Sequence, residues 1–361
     1  MLLNSVKRTT VLLAAALVSA FVTGAFAANP VKVGFVYVGP VSDHGWTYRH
    51  DVGRKAIETE FGDQVETTFV ESVPEGADAE RVIRKLASTG HDLIFTTSFG
   101  FMNPTIKVAK DFPDVKFEHA TGYKRADNVS TYAARFYEGR SVIGTMAGMM
   151  TKTNTVGYIA SFPIPEVVRG INAFTISMRK VNPDATVKVV WVNSWYDPGK
   201  EADAAKALID QGADIITQHT DSPAPLQVAE ERGVFAFGQA SDMAAFAPSA
   251  QLTSIIDNWD DYYIARVRAV IEGTWQSQDT WDGIASGMVE FPEYSADVPD
   301  DVSAAADVVR EGIIDGSLNP FQGPILSQAG DELLADGEVY DDETLLGMNF
   351  YVEGVQGELP K

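Results

Sequence analysis

The chain has 361 residues, 45% of them hydrophobic, and a formal net charge of −22 at pH 7. Such an acidic chain is a poor partner for nucleic acid and for anionic membrane surfaces. The absence of cysteine excludes disulfides, thiol nucleophiles and lipid attachment to a thiol.

The first segment is typical of a cleaved export signal. Lys7 and Arg8 form a short positive region, residues 11–22 are apolar, and Ala25-Phe26-Ala27 has the small-x-small pattern of a cleavage site. The alternative is a transmembrane helix, for which the apolar run is short. We expect residues 1–27 to be removed on export, which leaves a soluble periplasmic protein with no segment inserted in the membrane.

Strands and helices alternate through the rest of the chain. The first strand, at residues 31–38, ends at Gly39-Pro40, and Ser42 and Asp43 then supply helix-start chemistry. The order continues with helix 46–61, strand 65–71, helix 77–89, strand 92–97, helix 103–111 and strand 116–120. A second series comprises helix 139–151, strand 155–160, helix 166–180, strand 186–193, helix 199–211, strand 214–219, helix 223–232 and strand 234–238. Later elements are an apolar segment at 252–256, helix 259–272, a strand near 287–291 and helix 300–315.

An internal repeat relates the two series. Residues 86–95 resemble residues 208–217, and residues 65–72 resemble residues 187–194, both at an offset of 122 residues. This period predicts an α/β fold with two Rossmann-like lobes of the same plan, parallel strands and right-handed crossovers. We expect the N-terminal lobe to comprise residues 28–135 plus about 254–285. The C-terminal lobe then comprises residues 136–253 plus about 286–361, and a multi-stranded hinge joins the two.

Sequence patterns for enzyme chemistry and for cofactor binding are absent. The chain has no G-x-S-x-G elbow, no P-loop and no G-x-G-x-x-G stretch. His44 and His50 are six residues apart, which is not the spacing that places two metal ligands on one helix face. We therefore predict no catalytic residue, no metal and no cofactor.

Aromatic and polar residues follow the strand ends, where open α/β sheets bind their ligands. Trp46 and Trp195 lie in polar turns outside their strands, so two indoles from opposite lobes could hold a flat heteroaromatic ring; packing in the core is the alternative. The polar edge of the ring needs convergent partners, for which the candidates are Asp43, Phe101, Asn103, Tyr137, Glu138, Asp221 and Asp242. For Asp43 and Asp221 the alternative role is N-capping of a helix.

Several stretches resemble the BMP (basic membrane protein) or PnrA-like family of ABC-transporter substrate-binding proteins. They are MTKTN at 150–154, PIP at 163–165, Tyr137-Glu-Gly139, Val181-Asn-Pro183, Ser194–Pro198 with Lys200, Gln211–Asp214 and Gly238–Asp242. The resemblance covers nearly all of the chain after residue 28. It implies a type I periplasmic binding fold with the ligand between the two lobes, and delivery of that ligand to an ABC permease in the inner membrane.

The same resemblance implies roles for the two turns that contain tryptophan. The family's Asp-x-Ser-Phe-Asn turn corresponds to residues 43–47, which gives Asp43 the place of the base-binding carboxylate. Trp46 takes the place of one stacking Phe, and Trp195 takes the place of the second.

Departures from the family pattern concern the sugar. A ribose-binding Asp of the nucleoside binders is replaced by Ala240, and a Lys that helps to hold the sugar falls on Asp257. His219-Thr-Asp221-Ser replaces a glycine-rich stretch and puts bulk and charge where a sugar could lie. The resemblance therefore favours a free base over a nucleoside, and contact of His44, His219 or Asp257 with the ligand is left open.

The combined prediction is a monomeric periplasmic substrate-binding component of an ABC importer. Its ligand is a small purine base, with adenine as the first candidate, held between Trp46 and Trp195. Alternatives are a purine nucleoside or another flat ring such as riboflavin, and a ligand sensor for a membrane receptor. A rival from another class is a periplasmic nucleoside-processing enzyme that uses Asp43 and Asp242 as acid and base.

Overall fold

The structure, a computed structural model, describes residues 29–360, so the predicted export signal at residues 1–27 lies outside the described range. Strands and helices alternate in the first part of the chain. Their bounds are β1 (Val31–Tyr37), α1 (Trp46–Phe61), β2 (Val65–Val70), α2 (Ala77–Ser88), β3 (Leu93–Thr97), α3 (Met102–Asp111), β4 (Lys116–Ala120) and β5 (Val129–Ala134).

The second part of the chain repeats this alternation. Its elements are α4 (Phe136–Met150), β6 (Thr155–Ala160), α5 (Pro165–Val181), β7 (Thr186–Trp191), α6 (Pro198–Asp210), β8 (Ile215–His219), α7 (Ala224–Arg232), β9 (Phe235–Gly238) and β10 (Gln251–Ser254). Local chemistry sets several of these bounds. At the start of α6, for example, Asp197 accepts a hydrogen bond from the Lys200 backbone N–H at 3.1 Å, and Pro198 occupies the first turn.

The last part of the chain contains shorter elements. They are β11 (Ile256–Asp257), α8 (Asp260–Ile271), β12 (Asp279–Asp282), β13 (Val289–Glu290), α9 (Asp300–Asp315), β14 (Ile325–Leu326), β15 (Glu332–Leu334), α10 (Asp342–Leu346) and β16 (Val355–Gln356). Among the described residues no helix has the length and apolar character that crossing a membrane requires.

Two six-stranded parallel sheets organise these elements. Their strand orders are β12-β5-β4-β3-β1-β2 and β10-β9-β8-β6-β7-β16. In each sheet the strand that opens the series lies between the next two, with β1 between β2 and β3 and β6 between β7 and β8. The predicted α/β fold with two lobes of one plan is therefore confirmed. We call the parts built on these sheets the first lobe and the second lobe.

The final third of the chain contributes to both lobes. β12 pairs with β5 at the edge of the first sheet, and β16 pairs with β7 at the edge of the second. α8 packs against α1, whereas α9 packs against α4. The chain consequently passes between the lobes more than once, although the exact lobe boundaries given above remain a prediction.

Two strands of the first sheet, β12 and β5, are missing from the sequence-based prediction, and the reason is clearest for β5. It contains Ser130 and Thr131, which are buried although they are polar. The Arg266 guanidinium donates to the Ser130 hydroxyl at 2.9 Å, and the Thr131 hydroxyl donates to the Asp279 carboxylate at 2.5 Å. Partners that are remote in sequence thus satisfy the hydroxyls, so the local pattern of hydrophobic residues does not indicate a buried strand.

Candidate functional site

A partly enclosed cavity lies between the two lobes. Residues at or after the ends of six strands line it. Those of the first lobe follow β1, β3 and β4 and are Val38, Ser98 and Thr121. Those of the second lobe are Trp195 after β7, His219 at the end of β8 and Gln239 after β9. The carboxyl ends of both sheets therefore meet at this cavity, which is where open α/β sheets place their ligands. Trp46, Phe99, Glu166 and Asp221 complete the lining.

Trp46 contributes an indole to the cavity from the first turn of α1. Its ring N–H donates to the Thr97 carbonyl at 2.7 Å. The rings of His50 and Trp259 meet the Trp46 indole edge-on, at centroid distances of 4.4 Å and 5.6 Å. These contacts fix the orientation of the indole and leave it half-buried at the cavity wall.

Trp195 contributes the second indole, from the loop between β7 and α6. Its ring packs on Phe162 at a centroid distance of 5.1 Å. Its ring N–H donates to the Glu75 carboxylate of the first lobe at 3.3 Å. The structure thus brings Trp46 and Trp195, predicted from separate strand ends, to one cavity from opposite lobes.

Asp43 is buried at the start of α1 and does not line the cavity. Its carboxylate accepts hydrogen bonds from the backbone N–H groups of Gly45 (2.9 Å), Thr47 (3.0 Å) and Tyr48 (3.0 Å). Burial raises the pKa of Asp43 to about 6, while these N–H groups lower it in part. The contacts are those of the alternative role that the sequence left open, in which Asp43 caps the helix.

Asp221 follows β8 and lines the cavity. Its backbone N–H donates to the Trp195 carbonyl at 3.0 Å, which ties the two loops together. Burial raises the pKa of Asp221 well above its ordinary value, and the charges of Asp43 and Glu201 add to this effect. A buried carboxyl on the wall needs hydrogen-bond donors, which a ligand rich in N–H groups can supply.

The two lobes touch at the edge of the cavity. Gly45 lies against the backbone of Asp221, so closely that a Cβ added to Gly45 would lie 2.4 Å from the Asp221 carbonyl oxygen. His44, with a positive φ of 60°, packs its imidazole on Phe246 at 4.6 Å. The Ser241 hydroxyl also donates to the His44 carbonyl. The structure is therefore a closed arrangement of the lobes.

Three other predicted contact residues are packed away from the cavity. Phe101 is fully buried in the core of the first lobe, between α2 and α3. Tyr137 packs on Phe321, and its hydroxyl accepts from Arg135 at 2.7 Å. Glu138 accepts from the Ile284 backbone N–H at 2.8 Å. Their side chains are satisfied by core packing or by later chain segments, neither of which local sequence reveals.

Two predicted contact residues lie on the surface instead. Asn103 is exposed, and its side-chain oxygen accepts from the Lys124 ammonium at 2.8 Å. Asp242 is also exposed and accepts from the Ala244 backbone N–H at 3.0 Å and from the Gln251 amide at 2.7 Å. Asp242 therefore stabilises its own turn, a usual role for Asp.

The cavity has polar residues that the sequence-based reasoning missed or left open. His219 faces Glu166, with 3.5 Å between Nε2 and the carboxylate. A carboxylate only accepts, so Nε2 carries the hydrogen. Burial lowers the pKa of His219, which keeps the ring neutral and makes Nδ1 an acceptor. Nδ1 has no partner among the described residues, but it is buried beside Gly170 and does not reach the cavity surface.

Gln239 supplies a donor to the same cavity. Its side-chain oxygen accepts from the buried guanidinium of Arg140, which leaves the amide N–H groups for the cavity. The sequence could have indicated Gln239 by its position directly after β9, because ligand-binding residues follow strand ends. The lining therefore combines the Asp221 carboxyl and the His219 ring with one donor, the Gln239 amide.

The two positions connected with ribose by resemblance are neighbours and do not line the cavity. The Asp257 backbone N–H donates to the Ala240 carbonyl at 2.8 Å. The Asp257 carboxylate is buried, and both of its oxygens lack a partner among the described residues. Burial raises its pKa well above the ordinary value, while Arg49 lowers it in part.

Comparison with known proteins adds independent information. A family model described as ABC transporter substrate-binding protein PnrA-like matches residues 30–317. A Brucella abortus protein named as purine-binding is 60% identical, over 96% of this chain and 99% of its own length. A Haloferax volcanii protein named as an ABC transporter glucose-binding protein is 39% identical, over 91% and 81%. A solute-binding protein structure from Aeropyrum pernix shares the fold, with a TM-score of 0.71, 18% identity, and coverage of 88% and 95%.

Proposed function

The chain belongs to the PnrA-like family of ABC-transporter substrate-binding proteins, and we propose that its interlobe cavity binds a free purine base, with adenine as the first candidate. Its partners are a small-molecule ligand and an ABC permease. We place the mature protein in the periplasm as a monomer, after removal of residues 1–27, with the permease in the inner membrane.

The observation that carries this proposal is the pair of indoles that opposite lobes contribute to one cavity, Trp46 and Trp195. A flat ring between two indoles gains stacking energy on both faces, roughly 1–3 kcal/mol per base. Tryptophan offers the largest aromatic surface of any side chain, and aromatic stacking recognises any flat base. The name of the Brucella abortus relative agrees with this ligand class.

The polar lining supports a base that carries several N–H donors. The Asp221 carboxyl accepts, and the Gln239 amide donates. Adenine offers two exocyclic N–H groups and one ring N–H to acceptors, and its unprotonated ring nitrogens to a donor. Such a base can donate to the Asp221 carboxyl and accept from the Gln239 amide.

The two positions linked to ribose by resemblance support a base over a nucleoside. Ala240 has no polar side-chain atom, and Asp257 is buried outside the cavity lining. The rival enzyme hypothesis needs Asp43 and Asp242 to act together. The Asp43 carboxylate accepts hydrogen bonds from three backbone N–H groups, whereas Asp242 is exposed in a surface turn. The pair does not converge on the cavity, so binding without covalent chemistry is the function that we propose.

Calorimetric titration of unfolded and refolded protein, freed of carried-over ligand, tests the proposal. We expect tight binding of adenine, weak or no binding of adenosine, and no heat from glucose. Adenosine binding as tight as adenine binding would contradict the base preference. Conversion of adenosine to base and sugar during incubation would support the enzyme hypothesis instead.

A further inference from the structure

We propose that Glu75 is a positioning residue that holds the Trp195 indole in place when the lobes close, and we call this arrangement the Glu75 latch. The proposal rests on the proposed function, since it takes Trp195 as a stacking residue for the ligand.

The latch is a single carboxylate oxygen with donors from both lobes. Glu75 lies between β2 and α2, at the rim of the cleft. Its Oε1 accepts from the Ser98 hydroxyl at 2.5 Å and from the Gly100 backbone N–H at 3.0 Å, both in the first lobe. The same atom accepts from the Trp195 ring N–H of the second lobe at 3.3 Å.

The two bonds within the first lobe orient the carboxylate toward the second. Ser98 and Gly100 hold Oε1 at a fixed position, so closure brings Trp195 to an acceptor that is already oriented. Trp46 is fixed in a matching way, because its ring N–H donates to Thr97, one residue before Ser98. The segment at the end of β3 thus helps to orient both indoles of the cavity.

Gly100 leaves room for this carboxylate. A Cβ added to Gly100 would lie 2.2 Å from the Glu75 carboxyl carbon. Gly100→Ala therefore displaces the carboxylate without changing the charge of Glu75 or the ring of Trp195. This variant tests the latch independently of substitutions at Glu75 itself.

Dissociation of adenine, followed by stopped-flow tryptophan fluorescence, measures the latch. We expect Glu75→Ala and Gly100→Ala to speed dissociation about 5- to 30-fold, the range for loss of one hydrogen bond to a charged group that is partly exposed to solvent. Association should change little, because affinity differences within one interface lie mainly in dissociation. Glu75→Gln should stay within about 3-fold of the wild type, since it keeps the oxygen that accepts. Glu66→Ala, at an exposed position on β2, is the matched control.

A double-mutant cycle shows whether Glu75 acts through Trp195. Trp195→Phe keeps an aromatic ring and removes the N–H. In that background Glu75→Ala should change the dissociation rate by less than about 3-fold, because the bond is already lost. An equal effect of Glu75→Ala in both backgrounds overturns the proposal, as does a Glu75→Gln variant as fast as Glu75→Ala.

Failure of the purine proposal gives a different result from failure of the latch. If wild-type protein does not bind adenine, the proposed function fails. The latch is then tested without ligand, by measuring the separation of the two lobes. The chain has no cysteine, so spin labels at Lys110→Cys and Asp203→Cys report one distance between α3 and α6. Closed lobes give a shorter distance between the two labels than open lobes. Loss of this shorter distance in Glu75→Ala supports the latch. Equal distance distributions in the wild type and Glu75→Ala overturn it.

Discussion

Gly45 and Asp221 bring the two lobes together, since the Gly45 backbone lies where no side chain fits against the Asp221 carbonyl. Gly45→Ala should prevent full closure and weaken adenine binding roughly 5- to 150-fold, at a cost of about 1–3 kcal/mol for overpacking. Calorimetric titration checks the affinity. The control is Gly347→Ala, where the nearest atom to the added Cβ is 3.5 Å away. Unchanged affinity in Gly45→Ala would show that the closed contact is dispensable.

Removal of one indole should cost the stacking on one face of the base. We expect Trp195→Ala to weaken adenine binding by about 1–3 kcal/mol, a factor of roughly 5 to 150. The matched control is Trp275→Ala, because Trp275 contacts Glu118 and Arg266 in the first lobe and lies outside the cavity. Calorimetric titration of both variants checks this. Wild-type affinity in Trp195→Ala would remove the main support for a stacked ligand.

Asp221→Asn should change which purine is preferred. The substitution replaces one acceptor oxygen of the carboxylate by an N–H donor, which then faces the amino group of adenine. We expect adenine binding to weaken about 10-fold or more, with hypoxanthine gaining relative to adenine because it carries an oxygen in place of the amino group. Competition titrations with the two bases measure the ratio. A ratio equal to that of the wild type would place Asp221 away from the purine edge.

The carboxyls of Asp43 and Asp221 should make stability depend on pH. Burial raises both pKa values, that of Asp43 to about 6. Between pH 4 and 6 the folded protein therefore binds more protons than the unfolded chain, and these groups lower the free energy of unfolding as pH rises. Asp221→Asn removes one carboxyl and its charge beside Asp43. The free energy of unfolding of this variant should therefore rise relative to that of the wild type as pH increases above about 4, where an unfolded Asp loses its proton.

Urea denaturation of ligand-free protein at several pH values measures this gain. Asp242→Asn is the control, because Asp242 is exposed in a turn. A difference between wild type and Asp221→Asn that stays constant with pH would mean that the Asp221 carboxyl is charged in both the folded and the unfolded protein.

The sequence alone predicted the architecture, because strands, helices and their repeat are patterns of neighbouring residues. Predicted helix 46–61 coincides with α1, and both indoles of the cavity were found from their position in polar turns after β1 and β7. Strands β5 and β12 of the first sheet escape this pattern, and the buried hydroxyls of β5 pair with residues far along the chain.

Only the tertiary structure decided which polar side chains meet at the cavity. Asp43 and Asp221 have the same residue type and a similar position after a strand, yet the first caps a helix and the second lines the cavity. Phe101 and Phe99 are two residues apart, and Phe99 is the one that lines it. The contact of Trp195 with Glu75 joins residues 120 positions apart. Such roles depend on side-chain direction and on closure of the lobes, which are set by contacts between distant segments rather than by local sequence.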